Sequence, residues 1–240
     1  MKNTSSYDNW AKVYDLIYSK KNYKKESEII KSIINKNKRS NGKSLLDVGC
    51  GTGGHIKYLH KAFDCEGIDL NKELLSLAKK KIKGIIFHQR NMINFKLNKR
   101  FDIIICLFSA IGHVKTIKNL KKTLKTFDRH LNFGGIVIIE PWFTKKAYKK
   151  GRLDLTTYKD EDIVISRTNV SKIKGDIAIL DFHFLIAEKN KDVKYCFSRQ
   201  ELGMFELKTF LKIMNGVGLK SKFIKNGLNR GRGLYIGVKK

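Results

Sequence analysis

The segment Leu45-Leu46-Asp47-Val48-Gly49-Cys50-Gly51-Thr52-Gly53-Gly54 constrains the fold more than any other in this 240-residue chain. A short apolar strand runs straight into a cluster of glycines, and a helical pattern follows. Such a turn needs backbone angles and close approaches that a Cβ forbids, which glycine supplies. The same unit then recurs without the glycines. Spacing predicts strands at Ser44–Val48, Cys65–Asp69, Ile85–His88, Phe101–Leu107 and Ile136–Glu140. Between them lie helices at Gly53–His60 and Lys72–Lys81, and a third carrying Ile117, Leu120, Leu124, Phe127 and Leu131, which Gly134-Gly135 is expected to end. Apolar strands alternating with amphipathic helices imply a mostly parallel sheet covered on both faces, the doubly wound α/β class.

The flanks of this alternation differ from it. Two helical patterns open the chain, at about Tyr7–Tyr18 and Tyr23–Lys36. After Pro141 the helices stop. Ile163–Val170, Asp176–Ala187 and Val193–Leu202 read as three strands joined by polar turns, an antiparallel insertion at residues 150–204. A helix at Phe205–Val217 returns the chain to the main sheet. Strands near Lys220–Ile224 and Leu234–Val238 have no helix between them, so they form an antiparallel hairpin that closes a seven-stranded sheet. The whole reads as one domain.

Gly49-Cys50-Gly51-Thr52-Gly53-Gly54 alone fits a dinucleotide as well as any other adenosine cofactor. Asp69, about 20 residues on, suits a ribose in either case. Asp47 discriminates. A carboxylate two residues before the first glycine repels a pyrophosphate, but it suits the ammonium group of S-adenosylmethionine. Asn91 and Met92 follow the third strand, where an amide and a thioether can cradle adenine. Cys50, Leu70 and Leu107 stand at the same sheet edge and complete the expected cofactor set with Gly49 and Gly51.

Together with the terminal hairpin, these features resemble the class I methyltransferases. A closer resemblance runs from about Tyr7 to Val238, to the sugar N,N-dimethyltransferases acting on dTDP-linked 3-amino sugars of the desosamine and mycaminose type. It is carried by Val13-Tyr14-Asp15-Leu16, Phe108-Ser109-Ala110-Ile111-Gly112-His113, Glu140-Pro141-Trp142-Phe143 and Gly231-Arg232-Gly233-Leu234-Tyr235-Ile236-Gly237-Val238. The family usually has Asp at Asn91, Ala at Gly49 and Trp at Phe143. The resemblance implies N-methylation of a nucleotide-linked aminosugar, with another small amine or hydroxyl compound, or RNA, as alternatives. It also implies a homodimer, and it makes residues 1–40 a helical lid with the first helix over the cofactor, Tyr14 at the cofactor and Tyr7 nearer the acceptor amine.

His113 follows the fourth strand at the edge where ligands bind in such folds, and its imidazole suits accepting a proton or a hydrogen bond. Glu140 could hold a sugar hydroxyl or the amine, or an ion pair instead. Trp142 offers a flat face to a sugar or thymine ring. Arg232, between two glycines, could grip a diphosphate with two hydrogen bonds, with Arg230 and Arg152 as weaker candidates.

Composition narrows the partners. The net charge is +28, but 41 of the 50 basic residues are lysine, spread along the whole chain. That reads as a solvated surface with an attraction for anionic small molecules rather than a nucleic-acid footprint. No Asn-Pro-Pro-Tyr-type motif follows the fourth strand, as it would in many nucleic-acid methyltransferases. There is no apolar run of membrane length and no apolar leader, so a cytoplasmic enzyme is expected. Cys50, Cys65, Cys106 and Cys196 make no CxxC pair, so reduced thiols and no metal are expected.

Overall fold

The computed structural model describes residues 10–228 and 231–240. The predicted positions Tyr7 and Arg230 lie outside the described residues. Helix α1 (Trp10–Ile17) and helix α2 (Tyr23–Asn37) precede strand β1 (Ser44–Val48), helix α3 (Ile56–Leu59), strand β2 (Asp64–Asp69), helix α4 (Lys72–Lys81) and strand β3 (Ile86–Gln89). Strand β4 (Phe101–Cys106), a 3-10 turn (Ala110–Val114), helix α5 (Ile117–Arg129) and strand β5 (Leu131–Ile139) complete the winding. Strands β6 (Leu153–Lys159), β7 (Ile163–Lys174), β8 (Ile177–Glu188) and β9 (Lys194–Gly203) form a separate antiparallel sheet in that order. Helix α6 (Leu207–Gly216) and strands β10 (Leu219–Ile224) and β11 (Leu234–Lys239) end the chain.

The main sheet has seven strands in the order β10-β11-β5-β4-β1-β2-β3. All pairs are parallel except β10 with β11 and β11 with β5, so the closing hairpin lies where its missing helix placed it. Side-chain alternation sends Leu46, Val48, Ile104 and Val137 to one buried face, against α5 and α6. Leu45, Ile103, Ile105 and Ile136 go to the other, against α2, α3 and α4. Each buried aliphatic side chain contributes about 1.5–3 kcal/mol relative to exposure. Side-chain oxygens of Asn22, Asn71 and Thr116 cap the first turns of α2, α4 and α5, which fixes where those helices begin.

Three expectations are corrected. The insertion has four strands, not three. β6 pairs with β7 from Leu153↔Val170 to Lys159↔Val164, and the turn is held by Asp160 Oδ1, which accepts from the amides of Asp162 and Ile163. The helix after β4 ends at Arg129, so Leu131 belongs to β5. Gly134-Gly135 does not end the helix. It lies inside β5, where the register with β4 shifts. There the Gly134 carbonyl accepts from the amides of Arg39 and Ser40, and a Cβ on Gly134 would fall 2.8 Å from the Ser40 nitrogen. The close approach, rather than a helix stop, requires this glycine.

The N-terminal segment also divides. Helix α2 buries Ile30 and Ile34 in the core beside the main sheet. Among the described residues, α1 instead places Tyr14 in the lining of the cavity described below. It packs Trp10, Val13 and Ile17 on the inner face of the insertion sheet, against Ile165, Phe182 and Phe184, with the Trp10 and Phe184 rings edge to face at 4.8 Å.

Candidate active site

Strands β1, β2, β3 and β4 end on one edge, and the loops beyond them enclose a cavity of about 350 Å³. Tyr14, Gly49, Gly51, Asp69 and Leu70 line it, as do Asn91, Met92 and Leu107. These are eight of the ten positions expected to meet the cofactor. Gly49 and Gly51 have φ of +77° and +55°, and a Cβ on Gly49 would fall 2.7 Å from that of Ala110. Asp69 shapes the loop: Oδ2 accepts from the Gly51 amide at 2.9 Å and Oδ1 from the Asn71 amide at 2.8 Å. With the Leu70 amide also turned to it, the carboxylate keeps at least one lone pair for a further donor.

Asp47 and Cys50, which flank the lining residue Gly49 in the chain, are buried and do not themselves line the cavity. Asp47 is 2% exposed, and its Oδ2 has no hydrogen-bond partner. Burial, reinforced by the Asp69 charge, pushes its carboxyl up to about 8. A buried carboxylate oxygen with no donor is costly, and a cationic group at the cavity floor relieves that cost. The ammonium of S-adenosylmethionine is such a group, and the glycine cradle and Asp69 fit its ribose side. Cys50 instead turns its side chain into the core, and burial pushes its thiol well above the usual range. It is an inert core thiol, and at most its backbone faces the ligand. Asn91 spends Oδ1 on a turn, accepting from the Ile93 amide at 3.0 Å.

A second cavity, of about 1000 Å³, opens beside the first, between the main sheet edge and the inner face of the insertion. Tyr18, Phe108, His113 and Gln200 line both. His113 therefore stands at the junction, on the 3-10 turn after β4. Although it opens on the cavities, the protein packed around it pushes its imidazole down to about 4, with Lys115 adding repulsion. It is neutral at ordinary pH, a hydrogen-bonding group rather than a store for a proton.

Glu140 is 0% exposed and forms an ion pair at 3.1 Å with Arg232. Its Oε2 accepts from the Phe108 amide at 2.7 Å. Arg232 also donates to Ser109 Oγ at 2.7 Å, and Ser109 donates to the Pro141 carbonyl at 2.8 Å. This network has a local purpose. Phe108 and Ser109 have φ of +50° and +62°, a strained pair for residues with side chains. Glu140 and Arg232 hold that pair in place at the junction. Arg232 lines the second cavity, but its charge is already matched, which removes the reason to assign it a diphosphate. Trp142 lines the same cavity, with its indole nitrogen buried and unpartnered. Arg152 is at the rim, paired with Asp154.

Sequence reasoning missed Tyr18, Gln200, Arg167 and Asn169. Tyr18 follows Tyr14 by one helical turn, a signal that was present. The other three stand on alternate inward positions of strands whose facing could not be read without the fold.

A parallel sheet with this closing hairpin, glycine loop and orphaned acid defines a class I methyltransferase. Residues 45–135 match the Methyltransferase domain family. Over 231 residues the chain is 29% identical to the dTDP-3-amino-3,4,6-trideoxy-alpha-D-glucopyranose N,N-dimethyltransferase of Streptomyces venezuelae, covering 95% of this chain and 97% of that one. The crystal structure of Streptomyces venezuelae DesVI superposes with a TM-score of 0.90 at 29% identity, over 96% of this chain and 98% of that one. SAM-bound CalS10, an amino pentose methyltransferase from Micromonospora echinaspora, gives 0.85 at 26% identity, over 95% and 97%. The chain thus carries a methyltransferase domain, and its similarity to the sugar N,N-dimethyltransferases extends over nearly its whole length.

Proposed function

We propose that this enzyme methylates the amino group of a nucleotide-linked aminosugar. The observation that carries the reading is the pair of joined cavities: one fitted to the cofactor, the other large, lined by donors and cations, and meeting the first at Tyr18, Phe108, His113 and Gln200. The names of the relatives support the acceptor class. Bound in the first cavity, S-adenosylmethionine supplies an electrophilic methyl group.

The chain's own residues then do the positioning. An aminosugar amine is weakly basic, so a useful fraction is neutral near pH 7 to 8, and orientation is the main task left to the protein. His113, being neutral, accepts a hydrogen bond from the amine and fixes the direction of its lone pair. Tyr18 and Phe108 form the wall between the cavities and narrow the approach. Mass spectrometry of dTDP-3-amino and dTDP-4-amino sugars incubated with S-adenosylmethionine tests this: one or two added methyl masses are expected. Absence of product with every aminosugar nucleotide would sink it, and product from another small amine would move the assignment to that class.

A positioning role for His113 has its own consequence. His113→Asn lowers kcat about tenfold, the scale of one lost hydrogen bond. It leaves the pH profile between 6 and 9 unchanged in shape, because an imidazole held near 4 does not titrate there. Loss of an ionisation in that window on substitution would restore His113 as a proton acceptor.

The homodimer reading rests on the outer face of the insertion sheet. Leu153, Leu155, Val164, Val170, Leu185 and Tyr195 are exposed there on four adjacent strands. An apolar face this extended fits a self-complementary contact between two copies. Leu185→Glu, at the middle of the face, is expected to yield monomers in sedimentation equilibrium; an unchanged mass would place any dimer elsewhere. Among the described residues no helix is long and apolar enough to cross a membrane.

A further inference from the structure

Arg167 stands apart from the other arginines of the site. It projects from β7 into the acceptor cavity, opposite Thr156 of β6 in register. NH1 donates to the Tyr18 hydroxyl at 2.8 Å and NH2 to Thr156 Oγ1 at 2.8 Å. Nε is buried and has no partner. The guanidinium carbon lies 4.6 Å from the centre of the Phe182 ring and 5.3 Å from that of Tyr18. No carboxylate pairs with it among the described residues, whereas Arg232 has Glu140 and Arg152 has Asp154. Arg167 is thus a guanidinium held by two hydroxyls and two ring faces, with its charge unmatched.

Its neighbours repeat the pattern. Asn169, two residues along the same strand face, is buried with its amide nitrogen unpartnered, and so is the indole nitrogen of Trp142. With the Tyr148 hydroxyl, four buried donors without acceptors belong to residues that line one cavity. Such donors cost free energy until an acceptor-rich group arrives. An anionic group with several oxygens, such as the diphosphate of a nucleotide, is the kind of partner that relieves such donors once a small side-chain rotation turns them to it, the guanidinium most strongly.

The other end of Arg167 leads to the cofactor. Tyr18 lines both cavities, and its ring meets Phe108 edge to face at 5.0 Å and Tyr14 at 4.8 Å. Tyr14 lines the cofactor cavity, and the next residue, Asp15, accepts from Thr52 Oγ1 of the glycine loop at 2.7 Å. We infer that Arg167 is a positioning residue that couples the two cavities, binding the acceptor's diphosphate through Nε and, by the same guanidinium, holding Tyr18 against the cofactor cavity. The inference rests on the nucleotide-linked acceptor proposed above. An anion on Nε restrains the guanidinium, and so Tyr18, and so the wall of the cofactor site. By linkage, cofactor held against Tyr14 and Tyr18 prepares Arg167 for the anion, with the same factor in both directions.

Titration calorimetry of S-adenosylhomocysteine, with and without saturating dTDP, tests the coupling. The intact enzyme is expected to bind it about tenfold more tightly with dTDP present, within the range usual for coupled sites. Arg167→Met, which keeps an unbranched apolar side chain at this position, and Tyr18→Phe should both bring that ratio to about one. Arg167→Met, outside the cofactor cavity lining, should leave the affinity measured without dTDP within about threefold, a pattern that general damage would not produce. A ratio of one in the intact enzyme, or an undiminished ratio in Arg167→Met, overturns the inference. Inorganic pyrophosphate serves as the second probe. If it binds and couples while dTDP does not bind, the nucleotide reading falls and the role of Arg167 stands. If neither binds, both fall.

Discussion

Asp47→Asn lowers the affinity for S-adenosylmethionine about a hundredfold, the scale of one buried hydrogen bond to a charged group. The same change makes the cofactor-free chain more stable at pH 8, not less. The reason is the orphaned Oδ2 and the carboxyl raised to about 8. A carboxyl whose folded value exceeds its unfolded one stabilises the fold while protonated. That contribution is present in full below about pH 4 and is lost as pH rises through 8. An amide does not titrate, so the variant lacks this slope. Binding a cationic ammonium reverses the demand, because Asp47 must then ionise and release a proton. Affinity for cofactor should therefore rise with pH, by as much as tenfold per unit, until the ligand's own ammonium begins to lose its proton at about pH 8. Calorimetry across pH 6 to 9 reads both effects. A slope in affinity that survives in Asp47→Asn would show that another group carries the linkage.

The second large effect concerns stability. Arg232→Met strips the guanidinium from Glu140, which is fully buried, and breaking a buried pair in this way costs about 3–5 kcal/mol. In a chain of this size that lowers Tm by about 10 °C. The loss is not confined to stability, because the same network holds the left-handed pair Phe108-Ser109 at the junction of the cavities. The KM for the acceptor should rise along with it. Combining Arg232→Met with Glu140→Gln removes the charge as well as its partner and should recover most of the melting temperature. A double variant no more stable than Arg232→Met alone would mean that packing, not charge, carries the effect.

The difference between Arg232 and Arg167 shows where sequence reasoning stops. The glycine loop, Asp47, Asp69 and the closing hairpin were legible because each is a local pattern, a residue type at a fixed offset from a strand end. The partner of an arginine is not local. Glu140 and Arg232 meet only because β5 and β11 are neighbours, and nothing near Arg232 in the chain announces that its charge is matched. Arg167 was invisible for the opposite reason, since its use depends on which face of β7 turns inward. β6 escaped because its apolar residues, Leu153 and Leu155, point outward and mimic a polar loop with occasional leucines. Gly134 was misread because a glycine required for close approach in a strand looks the same as one that ends a helix.

Strand β7 carries a consequence for how such an enzyme can change. Arg167 and Asn169 face the cavity, while Thr168 and Val170, between and beyond them, face away. Neighbouring letters of the sequence thus answer to different duties. Deleting one residue would exchange the two sets at a stroke, placing a guanidinium outside and a valine in the pocket. Diversification of the acceptor range in this scaffold is therefore confined to replacement at every second position. Changes of length belong at the hairpin tip around Gly175, where an added Cβ meets nothing within 4 Å. A library built on this reading frame would vary selectivity while leaving the outer face, and whatever rests on it, unaltered.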